Sequence, residues 1–146
     1  MRVLIDTNVL VDFIAVRSPF YADALRIIDA CDRKILHGCI AAHSVPNIYY
    51  ILRKEIPPQT RKDILSALCE ILAVEALSKD VITNALSDTD FADFEDCLQD
   101  QCASAFRADY IITRNTDDFA CSSVPAIIPS AFCERFLNHQ ERSNPS

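Results

Sequence analysis

A single glycine, Gly38, stands among 146 residues, and that scarcity removes whole classes of function. Dinucleotide fingerprints, P-loops and kinase-type loops all need clustered glycines where backbone must approach phosphate, so none of them can be built here. The seven cysteines (31, 39, 69, 97, 102, 121 and 133) are odd in number, and no two fall at C-x-x-C spacing. They read as free, mostly buried thiols rather than a disulfide framework. A zinc box is not formed either, because His37, Cys39 and His43 lack a fourth ligand at usable spacing. Long hydrophobic runs are also missing. The apolar stretches 3–5 and 9–11 are interrupted by Asp6 and Asp12, far short of a membrane span. No targeting segment is seen, and the expected location is the cytoplasm, with no membrane partner. Basic residues are outnumbered 14 to 21 by acids, and the net charge of −7 argues against a protein that coats nucleic acid non-specifically. It leaves room for a nuclease whose acidic metal site carries the excess while a local basic rim holds the strand.

What is present is an ordinary globular composition, 50% hydrophobic and 24% charged, over a length suited to one domain. The expected unit is residues 1–140, followed by a frayed tail at 141–146. The organising stretch is Arg2-Val3-Leu4-Ile5-Asp6-Thr7-Asn8. An unbroken apolar run, as in a strand buried on both faces, ends there at a carboxylate. Ligands of open parallel sheets bind at the carboxyl ends of strands, so Asp6 is placed at the mouth of a crevice. Alone, it could equally cap the helix beginning near Asn8.

Further along, Ser18-Pro19 is expected to start a long helix carrying Phe20, Ala24, Ile27 and Cys31 inward. Gly38–Ala41 reads as a strand, Ser44 to Lys54 as a helix with Val45, Ile48, Ile51 and Leu52 buried, and Ile56-Pro57-Pro58 as its stop. Thr60 is expected to cap a helix with Ile64, Leu65, Leu68, Ile71 and Leu72 inward. A strand over 72–76 follows, then a helix capped by Ser78 that carries Val81, Ile82, Ala85 and Leu86. The pattern continues with a helix from about Phe91 to Phe106, strands at 110–113 and 125–128, and a closing helix over 130–137. Strands alternating with helices predict an α/β fold, a sheet of parallel strands with helices on both faces.

Two further places carry chemistry. On the helix from Phe91, Asp93, Asp96 and Asp100 recur at spacings of three and four and share a face, with Phe94, Leu98 and Cys102 on another. The helix dipole accounts for Asp93, while Asp96 lies too far along for that explanation, and Asp100 is free to be solvated. The second place is Thr113-Arg114-Asn115-Thr116-Asp117-Asp118-Phe119, where another apolar strand runs into polar and acidic residues. Carboxylates converging at one sheet edge, without histidine or cysteine, suit Mg²⁺ or Mn²⁺.

These segments together resemble the PIN-domain family, especially its small VapC-like toxin members. The resemblance rests on Val3-Leu4-Ile5-Asp6-Thr7-Asn8, Asp93-Phe94-Glu95-Asp96-Cys97-Leu98, and Ala108 to Asn115 through Asp118-Phe119, in order over nearly the whole chain. It implies a three-layer α/β/α sandwich on a mostly parallel five-stranded sheet, and a metal-dependent ribonuclease. Such proteins are often dimeric and often inhibited by a cognate antitoxin. Carried over by position, Asp6, Asp96 and Asp118 match the metal-binding catalytic acids and Asn115 the residue supporting the last of them. Asn8, Asp93 and Thr113 stand as supporting residues beside these. One position departs: the family's usual glutamate on the helix after the second strand is Asn47 here. Glu95 or Asp93 could compensate for the lost charge. For phosphate contacts the candidates are Arg53, Lys54, Arg107 and above all Arg114, which lies in the acidic turn.

Rival enzymes fail on single residues. A haloacid-dehalogenase phosphatase wants a second aspartate where Asn8 stands, and a response-regulator receiver needs a lysine near the end of its fifth strand, where this chain has none. The serious alternative is non-enzymatic, a PIN-like module that binds RNA or protein and has lost its chemistry with the glutamate.

Overall fold

The computed structural model describes residues 1–138, so the tail expected at 141–146 and the end of the expected unit at 140 lie outside the described residues. Five parallel strands form one sheet: β1 (Arg2–Ile5), β2 (His37–Ala41), β3 (Ala73–Glu75), β4 (Tyr110–Ile112) and β5 (Ala126–Ile127), in the order β3-β2-β1-β4-β5. The helices are α1 (Thr7–Ile14), α2 (Tyr21–Asp32), α3 (Ser44–Ile51), α4 (Pro58–Ile71), α5 (Lys79–Ser87), α6 (Phe94–Phe106) and α7 (Pro129–Phe132), the last continuing as a π-helical turn over Cys133–Leu137. The chain winds outward from β1 to β2 and β3, then returns to lay β4 on the other side of β1. That reversal leaves a crevice at the carboxyl ends of β1 and β4, where doubly wound sheets take their ligands.

Side-chain alternation along the strands divides the core into two layers. Val3, Ile5, Ile40 and Ile112 face the cluster built by α1, α2, α3, α4 and Phe132, whereas Leu4, Cys39, Ala41 and Ile111 face Cys102 and Ala103 of α6. This is the expected three-layer sandwich with a fully parallel sheet. The lone glycine serves packing. A Cβ on Gly38 would lie 2.7 Å from both Cys31 Sγ and Leu72 Cδ2, so β2 can pass beneath its covering helices only without one. Left-handed backbone is taken instead by Val16, Lys34 and Arg107.

Helix boundaries depart from the expectations where capping was misjudged. Ser18-Pro19 lies in a turn ahead of α2, whose N-cap is Phe20, and Phe20 is exposed rather than inward. The α4 helix starts at Pro58 behind Pro57, which leaves Thr60 inside its first turn and not at the cap. Helix α3 ends at Ile51, before the prolines, and Ile51 is exposed. Leu86 and Phe94 are exposed as well, each near the end of an amphipathic helix where the covered arc has run out. Ser78 does cap α5, accepting the Val81 N–H at 3.2 Å. All seven cysteines are free: Cys31, Cys39, Cys97, Cys102 and Cys133 are buried, and Cys69 and Cys121 exposed. Burial pushes the Cys31 thiol up to about 12 and Cys102 up to about 11, so both pack as protonated thiols. Among the described residues, no helix is long and apolar enough to cross a membrane.

Candidate functional site

Asp6 is the last residue before α1, where it caps that helix and also lines the cleft at the strand ends. As N-cap it accepts the Thr7 N–H on Oδ1 at 2.7 Å, and its Oδ2 accepts the Thr113 hydroxyl at 2.8 Å from the end of β4. The Asn8 amide donates to Asp6 Oδ2 at 3.4 Å and to Thr113 Oγ1 at 3.3 Å, while its Oδ1 accepts the Arg114 N–H at 3.3 Å. Thr113 Oγ1 also accepts the Asn115 N–H at 3.1 Å. Two parallel strands are thereby tied together at their carboxyl ends, and Asp6 is held in one rotamer. Burial raises the pKa of its carboxyl, with the Thr113 and Thr7 hydrogen bonds working against the rise.

A cleft of about 390 Å³ opens above Asp6, and five carboxylates line it: Asp6, Asp93, Glu95, Asp96 and Asp118. Asp118 is exposed on the 3₁₀ turn Thr116–Phe119, which is anchored by buried Phe119. Asp93 is the N-cap of α6 and accepts the Asp96 N–H at 3.0 Å. The helix therefore begins at Phe94, later than expected, and Asp96 sits in its first turn where the dipole favours a carboxylate. Even so, burial and then the charges of Asp93, Asp118, Asp6 and Glu95 raise the Asp96 carboxyl to about 7. Asp100 does not join this cleft. It is buried and accepts a hydrogen bond from Ser122, which corrects the expectation that it is solvated.

Asn47 contributes through Glu95. Its amide donates to Glu95 Oε1 at 3.3 Å, and His43 Nε2 lies 3.8 Å from the same oxygen. Burial lowers the His43 pKa, outweighing Glu95, so a neutral imidazole backs this carboxylate. Helix α3 thus supplies no acid of its own; it braces the one that α6 supplies.

Arg114, the favoured phosphate contact, is already engaged. Its Nε lies 2.7 Å from Oδ2 of Asp12, a side chain only 1% exposed, and its guanidinium lies 4.3 Å from the centre of the Phe20 ring. Arg17, which also lines the cleft, pairs with Glu55 at 2.9 Å. Neither Asp12 nor Arg17 was singled out by the sequence. Also missed was a polar network under the cleft floor: Thr7 Oγ1 donates to Ser44 Oγ at 2.9 Å, and Gln99 Nε2 donates to Ser44 Oγ at 3.0 Å and Thr7 Oγ1 at 3.4 Å. Gln99 is 1% exposed on the apolar side of α6, and an amide between Leu98 and Cys102 was the signal available.

Five carboxylates without sulfur form a donor set for a hard divalent cation. Among the described residues, no three His, Cys, Asp or Glu side chains are gathered tightly enough to hold an ion by themselves. The donor chemistry still fits an ion such as Mg²⁺, which binds through one or two carboxylates and keeps several waters. The raised pKa values set the expected pH response of the metal-free protein. An unfolded aspartate titrates near ~3.9, so between about pH 4 and pH 7 the folded chain binds the extra proton, and stability falls as pH rises through that window. Melting in chelator should show this slope, and Asp96→Asn should flatten it; an unchanged slope would remove Asp96 as its source.

Comparison with known proteins agrees with this fold. A family model for the PIN domain matches residues 2–117. Among solved structures the chain is similar to VapBC2 from Rickettsia felis bound to a DNA fragment from their promoter, at TM-score 0.63 and 17% identity, covering 88% of this chain and 98% of that one. It is similar to FitAB bound to an IR36 DNA fragment, at TM-score 0.62 and 14% identity over 87% and 94% of the two chains. It is also similar to FitAcB from Neisseria gonorrhoeae, at TM-score 0.60 and 15% identity over 88% and 98%. Comparison with curated protein sequences gives no match.

Proposed function

The chain belongs to the PIN-domain family, and we propose that it is a metal-dependent endoribonuclease, the toxin of a toxin-antitoxin pair acting in the cytoplasm. The observation that carries this reading is the cleft at the β1/β4 crevice, with five carboxylates on its wall and Asp6 locked between Thr7 and Thr113. Asp6, Asp96 and Asp118 would hold Mg²⁺ or Mn²⁺, with Asn8, Asp93, Thr113 and Asn115 in support. Held there, such an ion would supply a water of lowered pKa and positive charge for the leaving oxygen, and no protein nucleophile would be required. The chain's own part is positional. Thr113 and Asn8 keep Asp6 from rotating, buried Phe119 fixes the turn that bears Asp118, and Asn47 holds Glu95 toward the cleft. As the family resemblance implies, it would take an antitoxin partner, and a homodimer belongs to the same reading.

Purified protein incubated with single-stranded RNA should cleave it with Mn²⁺ and not in chelator. Metal-independent products, or none at all, would overturn the assignment. The rival reading, a binding module without chemistry, draws on Asn47 standing where a glutamate was expected. Glu95 weighs against it, because it brings a carboxylate to the same side of the cleft.

A test of that substitution follows from the geometry. Asn47→Glu would set a second carboxylate against Glu95, so the variant should melt lower in chelator and bind Mn²⁺ more tightly, by about tenfold if the new charge reaches the ion. Calorimetric titration decides it, and equal affinities would place residue 47 outside the site.

A further inference from the structure

A second cleft, of about 250 Å³, adjoins the acidic one and shares a wall with it. It is lined by Phe20, Asp23, Arg114, Asn115, Ile128 and Ser130, and Arg114 lines both clefts. Phe20 is 40% and Ile128 41% exposed, two large apolar side chains left open in one small recess. Beside them stand a carboxylate and a hydroxyl. Among the described residues, the Asp23 carboxylate has no hydrogen-bond or ion-pair partner. Its bland role is to favour the start of α2, where it occupies the first turn, but that needs no recess around it.

Resting on the ribonuclease reading, we infer that this cleft is a nucleobase subsite for a nucleotide flanking the cleaved phosphate, and that its chemistry favours guanine. A base has a flat apolar face and a polar edge, and single-stranded RNA is read by stacking such faces on aromatic rings and guanidinium planes while the edge is hydrogen-bonded. Phe20 with Ile128 offers the apolar contact, and the Arg114 guanidinium, which lies over the Phe20 ring, presents a second plane for stacking. Asp23 sets the preference. A carboxylate only accepts and takes two parallel N–H donors well. Of the four RNA bases, guanine alone presents two adjacent donors, N1–H and N2–H, on its pairing edge. The Ser130 hydroxyl can serve either polarity and so adds affinity without selection. Continuity through Arg114 distinguishes this recess from the apolar groove between α3 and α4, which has no such link to the carboxylates.

The test is titration of the ¹⁵N-labelled full chain with guanosine, adenosine, cytidine and uridine in chelator, which requires no cleavage. Guanosine should shift the amides of Phe20, Asp23 and Ser130 at the lowest concentration. Asp23→Asn should lose that preference by about tenfold, and Phe20→Leu should weaken all four nucleosides by about tenfold. In the cleavage assay, Asp23→Asn should scatter cuts that wild type places next to guanine. Four nucleosides titrating alike, shifts elsewhere, no binding at all, or a guanine preference that survives Asp23→Asn would each overturn the inference. Guanosine-selective binding without RNA cleavage would uphold the base site and sink the ribonuclease reading; cleavage without base preference would do the reverse.

Discussion

Asp6→Asn and Asp96→Asn should each lower metal-dependent RNA cleavage by about a hundredfold or more while leaving the fold intact. Both carboxyls have pKa values raised by burial and neighbouring acids, so in chelator the charged forms weigh against folding. Neutralising either one should leave the melting temperature unchanged or raise it. For Asp6 the gain is tempered by a local cost. The amide can still accept from Thr7 N–H, but its NH₂ then faces Asn8 Nδ2, which donates to that oxygen in the wild type. The variant must therefore rearrange Asn8, and Asp96→Asn should be the more stabilising of the two. Cleavage at the wild-type rate by either variant would sink the site assignment, and melting far below wild type would show that these carboxylates hold the fold rather than strain it.

How much of this was legible in the sequence follows from what each residue depends on. Asp6 and Thr113 were readable because a strand that ends at a polar residue places it at the sheet edge whatever surrounds it. Alternation of strands with helices implied a parallel sheet but not its strand order, and the structure sets β1 beside β4. Helix starts were less legible. Ser18-Pro19 and Thr60 have the residue types of caps, yet the caps are set by where the chain enters the helix, and here Phe20 and Pro57 occupy those places. The same slip moved the start of α6 from Phe91 to Phe94 and turned Asp93 from a helical residue into the cap. Specific contacts between residues distant in sequence were the least legible, although Glu95 could be linked to the charge missing at Asn47. Asn47 meets Glu95 across 48 positions, and Gln99 meets Ser44 across 55. Arg114 stands in an acidic turn, and nothing in the sequence pattern marks Asp12 of α1 as its partner.

That pair supports the largest stability effect expected here. Asp12 is buried and ion-paired with Arg114, whose Nε lies 2.7 Å from Oδ2 and whose Nη2 donates to Oδ1 at 3.4 Å, while the arginine keeps 32% of its side chain exposed. Arg114→Met leaves the carboxylate buried without its partner and should cost about 3 kcal/mol, the low end for a broken buried pair because the site is open on the arginine side. In a chain of this size that is a fall of roughly 6–12 °C in melting temperature. Asp12→Asn should cost less, since the guanidinium can turn to water, and Arg114→Lys should fall between, keeping the charge but losing the fork. The double variant Asp12→Leu with Arg114→Met removes both charges and should recover most of the loss. It also separates two roles for Arg114 in cleavage. If the arginine only anchors the turn before Asp118, the double variant should regain activity along with stability. If it also touches the RNA backbone, stability should return while KM stays raised, and the salt dependence of binding should shrink by about one phosphate contact. Equal stability of Arg114→Met and wild type would show that the ion pair contributes nothing to the fold.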